Sequence, residues 1–339
     1  MIDLSMLFES VSIFLLSAVL VWIVRHYAPV LGLVDVPNAR STHNVVTPRG
    51  GGIGFLLSLF LLFPFFHPDL LLQYKWTFVA ILMVFLTGIL DDHHDTSPKT
   101  KFIVIFIATV FLDLDGIVIN ELGSFFGKNL TLGWLALPFT MFAVSGFTNA
   151  SNLIDGLDGL SSSVSIIIFG AFMLIGYQHH DPFLFTLSGC FIAALLAFLL
   201  FNWYPASIFM GDSGSLTVGF VISVLAIKAL AYIPTVSVLF IAAVPILDTL
   251  AAMIRRKLSG RSAFSADRCH VHHIFKHFFS ENTRKTVFVL GLIQLVYSLA
   301  GLQMNKNTDE GFLLVLFLLN VVLFYLFLAA MIKRQKQEC

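Results

Sequence analysis

Long apolar runs broken by short polar clusters dominate the chain. A helix needs about 20 apolar residues to cross a hydrocarbon core. Eleven segments approach that length, at roughly 6–24, 50–66, 76–90, 102–119, 133–151, 160–177, 183–201, 214–231, 233–254, 286–304 and 312–332. The pattern predicts an all-α polytopic membrane protein, a single membrane-embedded domain over residues 1–339 with about eleven transmembrane helices. An odd count puts the two termini on opposite sides. Asp3 and Glu9 precede or interrupt the first apolar run, which lacks a basic start and a small-residue cleavage site, so that run is expected to stay as an anchor.

Composition excludes a soluble globular protein: 58% of residues are hydrophobic, 12% are charged, and 36 are phenylalanine. The formal net charge of zero conceals an asymmetry. Sixteen of the 20 Lys and Arg residues fall in alternate loops: Arg25, Arg40 and Arg49, then Lys99 and Lys101, then eight from Arg255 to Lys285, then Lys333, Arg334 and Lys336. Lys75, Lys128, Lys228 and Lys306 lie opposite. Basic loops face the cytoplasm, so the N-terminus is expected outside and the C-terminal tail in the cytoplasm. The bilayer is the partner this composition implies; no nucleic acid partner is expected, and the oligomeric state stays open.

The polar clusters collect on that same predicted face. Gly50, Gly51 and Gly52 permit close backbone approach as the chain re-enters the membrane, and Arg40, His43 and Arg49 either line a phosphate path or are ordinary loop cations. Asp91 and Asp92 abut an apolar run, where adjacent carboxylates persist most readily beside a divalent ion or cationic partner. Asn152, Asp155 and Asp158 recur every third residue, a spacing that a 3₁₀ or broken turn would align. Asp212 begins an apolar helix, where the dipole stabilises an acid. Asp248 lies inside a span, three residues after Pro245 and seven before Arg255, and is either half of a structural pair or part of a site. The segment from Arg255 to Phe279 either lies on anionic lipid or, through Asp267, Arg268, His270, His272 and His273, binds a pyrophosphate. Oxygen ligands without cysteine suit Mg²⁺ or Mn²⁺. Phosphoryl transfer between anions needs charge neutralisation and alignment, which a divalent ion and cations such as Lys99, Lys101 and Arg268 would supply. An ion-coupled secondary transporter is the alternative from another class; it would place its carboxylates near the midplane of a repeated fold.

Seven motifs in order, over about residues 35 to 275, resemble the polyprenyl-phosphate N-acetylhexosamine-1-phosphate transferase family. They are D-x-P-N-x-R-x-x-H from Asp35 to His43, the pair Gly51 and Gly52, D-D-x-x-D from Asp91 to Asp95, and N-L-x-D-G-x-D-G from Asn152 to Gly159. F-M-G-D-S-G-S from Phe209 to Ser215, Pro245 with Asp248, and D-R-x-H-x-H-H from Asp267 to His273 follow. Bacterial members of that family start O-antigen, enterobacterial common antigen and teichoic-acid synthesis. The resemblance implies transfer of N-acetylhexosamine-1-phosphate from a UDP-N-acetylhexosamine to undecaprenyl phosphate with release of UMP. Carried over by position, it makes Asn152 and Asp212 the Mg²⁺ ligands. Asp91 and Asp92 are assigned to metal or to activation of the lipid phosphate, and Asp155 and Asp158 to catalysis. The His270 to His273 cluster, with His272, falls near the donor phosphates. The D-R-x-H-x-H-H form resembles the branch that accepts UDP-GlcNAc. The T-P-R-G-G-G form from Thr47 to Gly52 also resembles relatives using UDP-QuiNAc or UDP-FucNAc. Ile105 stands where the family carries a Gln.

Overall fold

The computed structural model describes residues 4–37, 45–94, 96–263 and 269–335. Its helices run in chain order as α1 (Leu4–Tyr27), α2 (Gly51–Phe66), α3 (Pro68–Gln73), α4 (Lys75–His94), α5 (Pro98–Leu114), α6 (Ala136–Leu153) and α7 (Leu160–Gln178). They continue as α8 (Pro182–Asn202), α9 (Gly211–Ala229), α10 (Ser237–Ile241), α11 (Ala243–Leu258), α12 (Val271–Phe278), α13 (Thr283–Leu302) and α14 (Glu310–Gln335). Two antiparallel ribbons complete the described structure: β1 (Val34–Asp35) with β2 (Thr47–Pro48), and β3 (Glu121–Phe125) with β4 (Lys128–Thr131). The chain is a multi-pass, all-α membrane protein. Among the described residues seven helices are long and apolar enough to cross a membrane: α1, α4, α7, α8, α9, α13 and α14. The other four predicted segments are helical too, but differently built. Helix α2 has 16 residues and α5 has 17, α6 ends on polar Ser151 and Asn152, and the predicted 233–254 span is split into α10 and α11.

Helix α9 is the axis of the bundle, buried from Ser213 through Ile227 and packed against α2, α4, α6, α7 and α8. Small residues let backbones come this close where lipid supplies no hydrophobic driving force. A Cβ built on Gly219 would fall 2.7 Å from the Ser151 Cβ of α6, and one on Gly88 of α4 would fall 2.6 Å from the Asp212 carbonyl. The packing that buries α9 therefore also draws the ends of α4 and α6 to its N-terminus.

The break between α10 and α11 follows from Pro245, which has no N–H to give the Ile241 carbonyl one turn back. Gln294 of α13 repairs the gap. Its Nε2 donates to Ile241 O at 2.6 Å, its Oε1 accepts from Val244 N at 3.0 Å, and Ser298 Oγ donates to Ile241 O at 2.8 Å. Freed backbone groups at membrane depth must find such partners inside the protein. Gln294→Leu, at a fully buried position, is expected to cost about 2–4 kcal/mol of stability. A melting curve in detergent that overlays the wild-type curve would contradict this.

Candidate functional site

The site forms where four chain segments end on one face of the bundle. Its floor is a backbone seam: Phe209 N donates to Pro48 O at 2.8 Å, Gly51 N to Phe209 O at 2.9 Å, and Gly52 N to Met210 O at 2.8 Å. Gly50 turns the chain into α2 at φ +90°, a left-handed conformation open to glycine. The glycines of the T-P-R-G-G-G stretch thus dock the start of α2 on the start of α9.

Asp92 locks α4 to the same place. It is buried, and its two carboxylate oxygens accept from Asp212 N at 2.8 Å and Ser213 N at 3.1 Å, an anion on the amides of a helix N-terminus. Arg49 donates to the Asp92 carbonyl. Gly211, at φ +75°, leaves room for this carboxylate: a Cβ there would fall 2.7 Å from Asp92 Oδ1. Both oxygens of Asp92 are therefore engaged by α9.

Asp91 faces the other way around the turn. Its Oδ1 accepts from Thr96 N at 2.7 Å and Thr96 Oγ1 at 2.5 Å, and its Oδ2 lies 2.6 Å from Lys101 Nζ. Lys101 also reaches Asp212 Oδ2 at 2.5 Å, so one ammonium bridges two carboxylates from α4 and α9. Asn152, in the last turn of α6, donates through Nδ2 to Asp212 Oδ1 at 2.9 Å and to Ser215 Oγ at 2.7 Å. Lys99 is exposed, with no ion pair among the described residues.

Between α6 and α7 the chain runs as successive tight turns, with Asp155 N donating to Asn152 O at 3.1 Å and Leu160 N to Leu157 O at 3.0 Å. The stretch is clamped by the 202–208 loop: Asp158 Oδ2 accepts from Ala206 N at 2.9 Å, and Asn202 accepts from Gly159 N and donates to Ile208 O, each at 3.0 Å. The Asp155 carboxylate has no hydrogen-bond partner among the described residues. Burial, followed by the charges of Asp212, Asp92 and Asp158, pushes its carboxyl well above the ordinary range.

The histidines arrive from α12. His272 is buried with neither ring nitrogen hydrogen-bonded, and its ring lies against Gly156, where an added Cβ would sit 2.8 Å from Cε1. Burial, then His273, lowers the His272 pKa to about 3, and burial with His270 lowers that of His273. The His270 and His272 rings are parallel, 5.8 Å apart. Asp248, read from sequence against Arg255 as its candidate partner, is instead bonded to His270 Nδ1 at 2.8 Å. Arg40, His43, Asp95, Asp267 and Arg268 lie outside the described residues.

Asn202, Ser215 and Thr96 escaped the sequence reading. Ser215 stands three residues after Asp212 on one helix face, a spacing that could have found it. The bonds of Asn202 and Thr96 close only once the loops are folded. Among the described residues no three His, Cys, Asp or Glu side chains form a ready-made metal cage. The donor set nonetheless fits a hard cation, because Asp212, Asn152 and the unpartnered Asp155 offer oxygen ligands.

A bundle whose helix ends gather acids, an amide and a bridging lysine beside buried histidines defines a membrane-embedded protein with a charged site on one face. Comparison with known proteins makes the class specific: residues 75–230 match the glycosyl transferase family 4. A probable undecaprenyl-phosphate N-acetylglucosaminyl 1-phosphate transferase of Bacillus subtilis (strain 168) is 32% identical over 304 residues, 88% of this chain and 84% of its own length. The undecaprenyl-phosphate alpha-N-acetylglucosaminyl 1-phosphate transferase of Yersinia pestis is 33% identical over 334 residues, 95% of this chain and 91% of its own. That of Escherichia coli (strain K12) is 30% identical over 329 residues, covering 93% and 89%. The chain belongs to glycosyl transferase family 4, and it is a transferase.

Proposed function

We propose that the protein transfers N-acetylglucosamine-1-phosphate from UDP-GlcNAc to undecaprenyl phosphate, releasing UMP and leaving the lipid-linked diphosphosugar that starts an envelope polysaccharide. The observation that carries this reading is the convergence of Lys101, Asp91, Asn152 and the unpartnered Asp155 around Asp212, with the partnerless buried His272 against Gly156 of the same turns. Such a pocket suits a diphosphate and a hard cation, with the acids for the ion and the bases for the phosphates. The acidic end carries most of the basic residues, which supports a cytoplasmic pocket in the bacterial inner membrane, a periplasmic N-terminus and a cytoplasmic C-terminus.

Asp212 and Asn152, with Asp155, would hold Mg²⁺ or Mn²⁺, which when bound neutralises the donor diphosphate. Lys101, which bridges Asp91 and Asp212, supplies an ammonium for substrate phosphate, and Asp92 keeps α9 and with it Asp212 in register. Asp91 holds Lys101 where that ammonium can meet the acceptor phosphate, and Asp158 fixes the 202–208 loop. His270, His272 and His273 line the donor phosphates, where burial keeps His272 neutral and so both acceptor and donor. The exposed Lys99 is a further cation for phosphate.

Membranes holding the protein, given radiolabelled UDP-GlcNAc, undecaprenyl phosphate and Mg²⁺, are expected to yield UMP and labelled lipid, and to stop on chelation. Asp212→Ala should lower the rate by about 10³-fold without loss of membrane insertion. UDP-QuiNAc or UDP-FucNAc turning over faster than UDP-GlcNAc would replace the donor. No UMP from any of the three would rule out all three as donors.

A further inference from the structure

Asp248 is the acid that sequence left between two readings, and its surroundings separate them. It sits one turn past the break that Pro245 imposes, at 1% exposure, on a helix that otherwise contributes nothing acidic to the pocket. Its oxygens do two different jobs on one short segment. Oδ1 accepts from Val271 N at 2.7 Å and so caps α12, while Oδ2 meets His270 Nδ1 at 2.8 Å. A carboxylate can only accept, so the Nδ1 nitrogen carries the proton. His270 is itself buried, lies parallel to His272, and through that ring adjoins Gly156 in the Asn152 to Asp158 stretch.

We propose that Asp248 is a positioning residue: it holds His270 in the Nδ1–H form and in a fixed ring plane, leaving Nε2 as the nitrogen available to substrate phosphate. This deepens the transferase reading and rests on it. The α12 cap alone would need a single acceptor oxygen. The second oxygen, placed on a ring nitrogen, is what a structural cap leaves unexplained. A neutral imidazole so held presents a lone pair at Nε2. On taking a proton there it becomes a phosphate donor whose charge Asp248 offsets at close range.

Asp248→Asn separates the two jobs. Its amide oxygen still accepts from Val271 N, but its NH₂ now faces Nδ1, which must become an acceptor; the ring proton moves to Nε2 and the tautomer is reversed. We expect kcat for UMP release to fall by about 10²–10⁴-fold, with KM for the UDP-sugar within about threefold and the melting temperature close to wild type. Asp248→Glu, which keeps the acceptor, should recover part of the rate. In a His270→Ala background, Asp248→Asn should add less than about threefold, because a residue acting through His270 has nothing left to act on. Folded Asp248→Asn with at least half the wild-type kcat overturns the proposal, as does full additivity in the double variant. If Asp248→Asn fails to fold, folded His270→Ala with near-normal turnover overturns it, whereas inactive His270→Ala beside active Asp248→Glu upholds it. Wild-type protein that releases no UMP from any UDP-sugar fails the proposed reaction and takes this inference with it; an active wild type with an indifferent Asp248→Asn fails the inference alone.

Discussion

Asp155→Asn is expected to lower turnover by about 10³-fold and, at the same time, to raise the melting temperature of the metal-free protein. The two halves have one cause. Asp155 stands in the turns between α6 and α7 without a hydrogen-bond partner among the described residues, facing the charges of Asp212, Asp92 and Asp158. Its carboxyl is pushed up, so the folded state binds this proton more tightly than the unfolded chain does. Above the ordinary carboxylate pKa the residue therefore works against folding, increasingly so until pH passes its raised folded value. Asparagine removes the charge and the penalty. The gain in melting temperature should be present at pH 7, shrink as pH falls towards about 4, and vanish below that, where the wild-type carboxyl is protonated in both states. Added Mg²⁺ should stabilise the wild type more than the variant. A variant that melts lower than wild type at pH 7, or one that turns over normally, would remove Asp155 from the cation site.

Gly88→Ala is expected to destabilise the protein by about 2–4 kcal/mol and to depress activity per folded molecule. A Cβ at this position in α4 would lie 2.6 Å from both the carbonyl oxygen of Asp212 and the amide of Ser213. Those atoms are backbone in the first turn of α9 and cannot swing aside as a side chain would. The helices must separate, and the amides that Asp92 caps lie at the point of separation. Gly170→Ala in α7 is the control, since nothing lies within 4 Å of its Cβ position and its helix should gain up to about 1 kcal/mol. Equal melting temperatures for the two variants would contradict the close packing of α4 on α9.

The two readings of the chain part company where partners come from far away. The predicted segments were legible because apolar length is a local property, and each of them is helical. The split at Ala242 was signalled only by Pro245, because what makes a broken helix tolerable is Gln294, some 50 residues on. The ribbon from Glu121 to Thr131 was missed because its alternation is weak and solvated, with β4 exposed throughout. Lys101 was expected to meet phosphate, yet here it bridges Asp91 and Asp212, two acids that local spacing cannot relate.

Hydrophobic length and the uneven placement of Lys and Arg determined that this is a membrane protein with its motif acids, amides and histidines at one end of the bundle, since both depend on what each short stretch costs in lipid. Tertiary structure alone decided which of those groups touch: Asp92 on the amides of α9, Asn152 and Lys101 on Asp212, Asp248 on His270 and not on Arg255 of its own helix. The reason lies in reach. A side chain chooses its partner within about 3 Å, and only the approach of small residues across α2, α4, α6 and α9 brings distant stretches that near.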